Sequence, residues 1–134
     1  MRVCGIVAEY DPFHAGHRYH LQEARRLSQA DFVVCVISTA FTQRGTPALF
    51  STRDRAQMAL QAGADLVLGM PVSYTCAQAN RFALGGVGIL DALGSVTHLA
   101  FGVEGEVLPL LQRAAHLMED ADASLHSLRA AGLD

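Results

Sequence analysis

Val3-Cys4-Gly5-Ile6-Val7-Ala8-Glu9-Tyr10-Asp11-Pro12-Phe13-His14-Ala15-Gly16-His17 decides the reading of the fold. Its first six residues are apolar and rich in β-branched side chains, the pattern of a strand buried on both faces. Asp11 to Gly16 is loop chemistry. Over residues 17–29 the apolar positions Leu21, Ala24 and Leu27 recur at spacings of three. That spacing predicts a helix, with Arg25 and Arg26 on its solvated side.

The alternation continues along the chain. Asp31–Ile37 predicts a second buried strand, and residues 38–51 a long loop of polar, Gly and Pro character. A loop of that length in a compact domain is more often functional than idle. Thr52–Ala62 predicts a helix, capped by Ser51 or Thr52 and ended by Gly63. Ala64–Leu68 predicts a third strand. Residues 73–93 predict a helix in which Gly85, Gly86 and Gly88 mark a break or a close packing contact. Thr97–Phe101 predicts a fourth strand ending at Gly102, followed by helices over 105–118 and 122–131. Short apolar strands alternating with amphipathic helices predict an α/β fold, a Rossmann-like doubly wound parallel sheet. Ligands of such sheets sit outside the carboxyl ends of the strands, here the loops 9–16, 38–51 and 102–105.

With 134 residues, 51% hydrophobic and 17% charged, the chain is read as one domain over residues 1–134 with a buried core. All ten basic residues are arginine. That excludes a Schiff-base lysine, a P-loop lysine and a Ser-Lys catalytic pair. The net charge of −3 divides unevenly: residues 1–81 carry +2 and residues 82–134 carry −5. A mildly basic first part suits a small anion such as phosphate better than a large nucleic-acid footprint. Cys4, Cys35 and Cys76 form no CxxC pair, and two of them lie in apolar runs. This predicts a reduced cytoplasmic protein with an inert Cys35. There is no signal-peptide pattern and no run of about 18 apolar residues, so no membrane is expected as a partner.

The chemistry concentrates at His14-Ala15-Gly16-His17. A helix start offers free N–H groups and a positive dipole end to phosphate, and Gly16 admits an anion close to the backbone. His14 in the loop and His17 in the first turn can both point over that anion. Their donors would stabilise the charge that develops when a nucleophile attacks an α-phosphorus. His20 extends the spacing of three and invites a zinc reading, but no Cys, Asp or Glu completes a ligand set, so no metal site is expected. Gly85, Gly86 and Gly88 lie inside a helical segment and are not a dinucleotide fingerprint. His98, His116 and His126 are read as structural or exposed.

The run Gly5 to Leu21 resembles the opening of the bacterial tRNA(Met) cytidine acetate ligases, within the HxGH nucleotidyltransferase superfamily. So do Gln43-Arg44-Gly45-Thr46-Pro47-Ala48, Arg55-Ala56-Gln57-Met58-Ala59-Leu60 and Phe101-Gly102-Val103-Glu104. The resemblance runs in order over residues 3–104. It implies that acetate attacks ATP to give acetyl-adenylate, and that the acetyl group then passes to N4 of the wobble cytidine of elongator tRNA(Met). It implies His14 and His17 as catalytic residues. It implies Val7, Ala8, Glu9, Tyr10, Phe13, Gly16, His20 and Gly102, with the two histidines, as the ATP site. Ser38, Gln43 and Arg44 are a possible substrate loop. Mg²⁺ is expected with the triphosphate, with no protein ligand named. The family's later nucleotide-facing and tRNA-binding parts are expected to be absent from this chain. An apolar sheet edge left that way would favour self-association. Asp11 stands where the family has Asn, which would add negative charge near the phosphates. Ser38-Thr39-Ala40-Phe41 and Thr52-Arg53-Asp54 also depart from the family pattern. The alternatives are an ATP-binding module without turnover, an adenylyltransferase for another small substrate, or an interaction protein that has lost the nucleotide.

Overall fold

The structure, a computed structural model, describes residues 1–103 and 109–116. Its elements are β1 (Val3–Ala8), α1 (Ala15–Ser28), β2 (Phe32–Ser38), α2 (Thr52–Gln61), β3 (Leu66–Met70), α3 (Val72–Thr75), α4 (Ala79–Ala92) and β4 (His98–Ala100). The chain divides into two compact units, Met1–Phe101 and Gly102–Asp134. The first holds all of these elements. In the second, residues 109–116 are helical, within the predicted 105–118. The predicted helix 122–131 lies outside the described residues.

The four strands form one parallel sheet in the order β3-β2-β1-β4. Placing β1 in the middle lets the chain leave it in both directions, the topology predicted for a doubly wound sheet. Thr97 locks β4 to β1: Val3 N–H donates to Thr97 Oγ1 at 3.0 Å, and Thr97 N–H donates to the Val3 carbonyl at 2.9 Å.

Both faces of β1 and β2 are covered, which is why neither strand alternates in polarity. Cys4, Ile6, Val33, Cys35 and Ile37 pack with Leu21 and Ala24 of α1 and Ala59 of α2. Val3, Val34 and Val36 pack on the other face with Leu90 of α4. Two of the three glycines of α4 are placed by close packing. A Cβ on Gly86 would lie 2.4 Å from Val7 Cγ1, and one on Gly85 would lie 2.5 Å from the Tyr74 ring. They are packing contacts, as the exclusion of a dinucleotide loop requires.

Most boundaries shift by one residue, among them β2 (Phe32–Ser38 for 31–37) and β4 (His98–Ala100 for 97–101); larger departures fall in three places, each for a local reason. The first helix begins at Ala15, two residues early, because His14 caps it. β3 begins at Leu66, because Gly63 turns the chain at φ +114° and Asp65 is used as a tie. Asp65 N–H donates to the Val33 carbonyl at 2.8 Å, and its carboxylate accepts from Val33 N–H at 2.7 Å. The segment 73–93 is two helices. The break falls at Cys76–Gln78, where Cys76 leaves helical geometry at ψ 43°, and the glycines stay inside α4.

Arg25 also corrects the expectation of a solvated side chain. It donates to the carbonyls of Ala30, Asp31 and Gly63 at 3.3, 2.9 and 3.0 Å and pairs with Asp65. It thereby ties the start of β2 to the start of β3. Arg26 conforms to the expectation, exposed and paired with Glu23.

Candidate functional site

The site is built where β1 ends. Tyr10 turns the chain with φ +55°, unusual for a residue other than glycine, and its side chain is 1% exposed. Its hydroxyl lies 3.5 Å from Cys35 Sγ. Burial pushes the pKa values of both groups upward, that of Cys35 to about 11, so neither ionises near neutrality. The cysteine is inert, as its sequence context predicts. Tyr10 forms the floor of the turn: the rings of Phe13 and His17 each stand edge-on to it at 4.9 Å.

Above that floor, His14 and His17 cap α1 reciprocally. Gly16 N–H donates to His14 Nδ1 at 3.1 Å, and His14 N–H donates to His17 Nδ1 at 3.3 Å. This is a capping box made from two imidazoles in place of a hydroxyl and a carboxylate. A ring nitrogen that accepts an N–H bond carries no proton, so each neutral ring holds its proton on Nε2. The two rings stack at 3.7 Å with 22° between their planes. The turn therefore presents two adjacent Nε2–H donors. One detail corrects the sequence reading: the Gly16 amide is not free for an anion, because His14 Nδ1 occupies it. Gly16 is small for a second reason. A Cβ there would lie 3.0 Å from His14 Cε1.

Burial lowers the pKa of His17 below its ordinary value of 6.5, and the neighbouring His14 and His20 lower it further. Burial lowers His20 as well. The shift favours the neutral imidazole of His17, which can donate a hydrogen bond without carrying a net charge. The Nε2 of His20 is buried with no hydrogen-bond partner.

The loop after β2 is ordered around the same turn. Ala48 N–H donates to the Ala40 carbonyl at 2.9 Å, and Thr42 N–H to the Thr46 carbonyl at 2.8 Å. Gln43-Arg44-Gly45 is the tip of this hairpin, with Gly45 at φ +80°. Glu9 accepts from Gln43 N–H, and the Asp11 carboxylate accepts from Leu49 N–H at 2.9 Å and Phe50 N–H at 3.2 Å. The negative charge of Asp11 is therefore engaged by two loop amides. Beneath them lies Arg55 of α2, fully buried. It donates to the Glu9 carbonyl at 2.6 Å, to Ser38 Oγ and the Phe50 carbonyl at 3.1 Å each, and to the Thr39 carbonyl.

The fold brings together Glu9, Tyr10, Phe13, His14, Gly16 and His17, with Gln43 tied to Glu9. Arg44 is exposed at the hairpin tip. Four expected site residues are placed differently from a simple lining. Tyr10 and Ser38 have fully buried side chains, Ala8 packs into the core beneath α1 and α2, and Val7 faces α4. Val7 lines an apolar cavity of about 290 Å³ with Phe82, Val87, Leu99 and Phe101. Gly102 begins the second unit. Arg55 is the residue that sequence reading missed. The available signal was its place in α2: it leads the positions Ala59 and Ala62, at spacings of four and three, that turn inward. Among the described residues, no group of three or more His, Cys, Asp or Glu is placed to hold a metal ion. No helix among them is long and apolar enough to cross a membrane.

Residues 1–133 match the family described as HIGH Nucleotidyl Transferase. The tRNA(Met) cytidine acetate ligase of Acetivibrio thermocellus is 48% identical over 124 residues, which are 92% of this chain and 30% of that protein. The protein of the same name from Fervidobacterium nodosum is 48% identical over 118 residues, 88% of this chain and 28% of that one. Thermotoga maritima TmcAL bound with alpha-thio ATP superposes with a TM-score of 0.85 at 46% identity, over 88% of this chain and 28% of that one. Its apo form gives 0.87 at 45% identity, over 90% and 29%. The chain spans about three tenths of the length of these relatives.

Proposed function

Because the chain belongs to the HIGH nucleotidyl transferase family, we propose that it performs the nucleotide chemistry of an ATP-dependent tRNA(Met) cytidine acetate ligase. In this reading an acetate oxygen attacks the α-phosphorus of ATP. The bond from that phosphorus to the bridging oxygen breaks, and pyrophosphate leaves acetyl-adenylate behind. N4 of the wobble cytidine of elongator tRNA(Met) then attacks the acetyl carbonyl. AMP departs and N4 gives up a proton.

The observation that carries the reading is the pair of stacked, reciprocally capped imidazoles, each with Nδ1 engaged by a backbone N–H, at the carboxyl end of the central strand. Negative charge on the non-bridging phosphoryl oxygens shifts as the nucleophile approaches, and fixed donors aimed there lower the barrier. A neutral His17 does this without having to lose a proton to reach its working state. Phe13, Gly16 and His20 complete this end of the ATP site in the proposal. Val7, Ala8, Tyr10 and Ser38 support the walls, and Gln43 and Arg44 face the second substrate. Mg²⁺ is proposed to arrive on the triphosphate. Glu9 and Asp11 are already committed to backbone amides and do not form a ligand set for it.

Calorimetry of ATP with Mg²⁺ tests the binding half of this reading. Wild type should bind, and His17→Ala should bind at least about ten-fold more weakly, for loss of one donor to a charged oxygen. Exchange of labelled pyrophosphate into ATP should then require acetate. Failure of the folded wild-type chain to bind would count against the nucleotide site. Binding without exchange would leave a nucleotide-binding module.

A further inference from the structure

Arg55 is an expensive residue to keep. It is 0% exposed, and among the described residues it forms no ion pair with a carboxylate. Burying a guanidinium costs several kcal/mol unless its donors are satisfied. Here they are satisfied by neutral oxygens alone: three carbonyls and one hydroxyl. Burial lowers its pKa, and the charges of Asp11 and Glu9 oppose that shift. A well-packed apolar side chain would serve a core better at this position. What no apolar side chain supplies is the geometry. The planar fork reaches the carboxyl end of β1 at Glu9, the carboxyl end of β2 at Ser38 and Thr39, and the entry to α2 at Phe50.

Those three points bound the two loops of the candidate site. The Glu9 carbonyl is one residue from Tyr10, whose ring stands against His17. Ser38, Thr39 and Phe50 are the two ends of the hairpin loop that carries Gln43 and Arg44. Glu9 and Asp11 reach across the same gap from the other side, to Gln43 N–H and to Leu49 and Phe50 N–H. We infer that Arg55 is a positioning residue that fixes the histidine turn and the 38–51 loop in one spatial relation, so that the imidazole donors and the hairpin tip face a single substrate. The substrate side of this inference rests on the nucleotide reading above; the positioning side rests on geometry alone.

The test separates the two. Arg55→Lys keeps a charge and loses the fork. Ala59→Gly lies one turn further along α2, is equally buried, and has no side-chain hydrogen bond to either loop to lose. It serves as the control for stability alone. In the 134-residue chain without nucleotide, the imidazole ¹³Cε1–¹H resonances of His14 and His17 are followed by NMR between pH 5 and 8. Arg55→Lys should displace the His17 resonance and its titration, while Ala59→Gly, at a comparable loss of thermal stability, should leave both in place. ATP affinity should fall at least about ten-fold in Arg55→Lys. His17 spectra and titration that superimpose on wild type would overturn the inference. If His17 moves but wild type itself binds no ATP, positioning stands and the nucleotide reading fails. If Arg55→Lys does not fold, Ser38→Ala carries the test, since it removes one acceptor of the fork. A displaced His17 resonance supports the inference and an unmoved one overturns it.

Discussion

The capping role of His14 can be separated from its proposed role toward ATP by one methyl group. In Gly16→Ala the new Cβ would lie 3.0 Å from His14 Cε1 and 3.1 Å from Nδ1, so the exposed His14 ring must swing aside. Losing the cap costs about 1 kcal/mol, and replacing a helical glycine by alanine returns about as much. Folding stability should therefore change by less than about 1 kcal/mol in urea denaturation, while ATP affinity falls. Equal ATP affinity in the variant would show that the placement of His14 is immaterial. A second expectation concerns protons. His17 and His20 have folded pKa values below the unfolded value of 6.5, so the unfolded chain binds more protons between the two. Stability should be full above pH 6.5, decline as the pH falls through 6.5, and level off below the folded values. Denaturation midpoints at pH 8 and pH 5.5 measure this, and the difference should shrink in His20→Gln. The histidines themselves were legible in the sequence, because a strand, a loop and a helix start frame them. Their mutual capping was not, since the usual box uses a hydroxyl and a carboxylate. Arg55 was not either, because an arginine is expected outside and nothing in its neighbours announces four oxygen acceptors from distant segments.

At the scale of elements, α4 meets β1 through the bare backbone of Gly86, and two glycines on one helix should respond in opposite directions. Gly86→Ala places a methyl 2.4 Å from Val7 Cγ1, which α4 can relieve only by lifting from the strand. Overpacking of this kind costs about 1–3 kcal/mol and outweighs the gain in helix propensity of about 1 kcal/mol. A Cβ on Gly88 meets nothing within 4 Å, so Gly88→Ala should stabilise by up to about 1 kcal/mol. Thermal unfolding of the pair checks both signs. Strand and helix order followed from periodicity, and β1 was placed to the residue, because a buried parallel strand is a simple apolar run. What failed was local. The break at Cys76–Gln78 has no glycine to mark it, whereas Gly85, Gly86 and Gly88, read as a break or a close packing contact, lie within an unbroken helix where the first two are packing contacts. The start of β3 was set two residues early, because Asp65 reads as strand entry and acts as a tie.

Across the whole sheet, two arginines hold opposite ends. Arg25 ties the amino ends of β2 and β3, and Arg55 ties the carboxyl ends of β1 and β2 to the loops beyond them. The two should differ in what their loss changes. Arg25→Met removes hydrogen bonds that are partly exposed to solvent, so the cost is about 1–2 kcal/mol after screening. Because it acts at the end away from the histidines, ATP affinity should stay at the wild-type value; calorimetry on the folded variant reads this directly. A loss of affinity as large as that of Arg55→Lys would mean that the sheet transmits strain from one end to the other. The central position of β1 also has a bearing on time. Its partner on one side is complete by residue 38, but the bonds from Val3 to Thr97 join residues 94 apart in the chain. At about 5–20 residues per second, synthesis needs roughly 5–20 s to bring Thr97 out after Val3. For that interval the strand leading to the two histidines lacks its β4 neighbour, so the order of translation governs when β1 is first held on both edges.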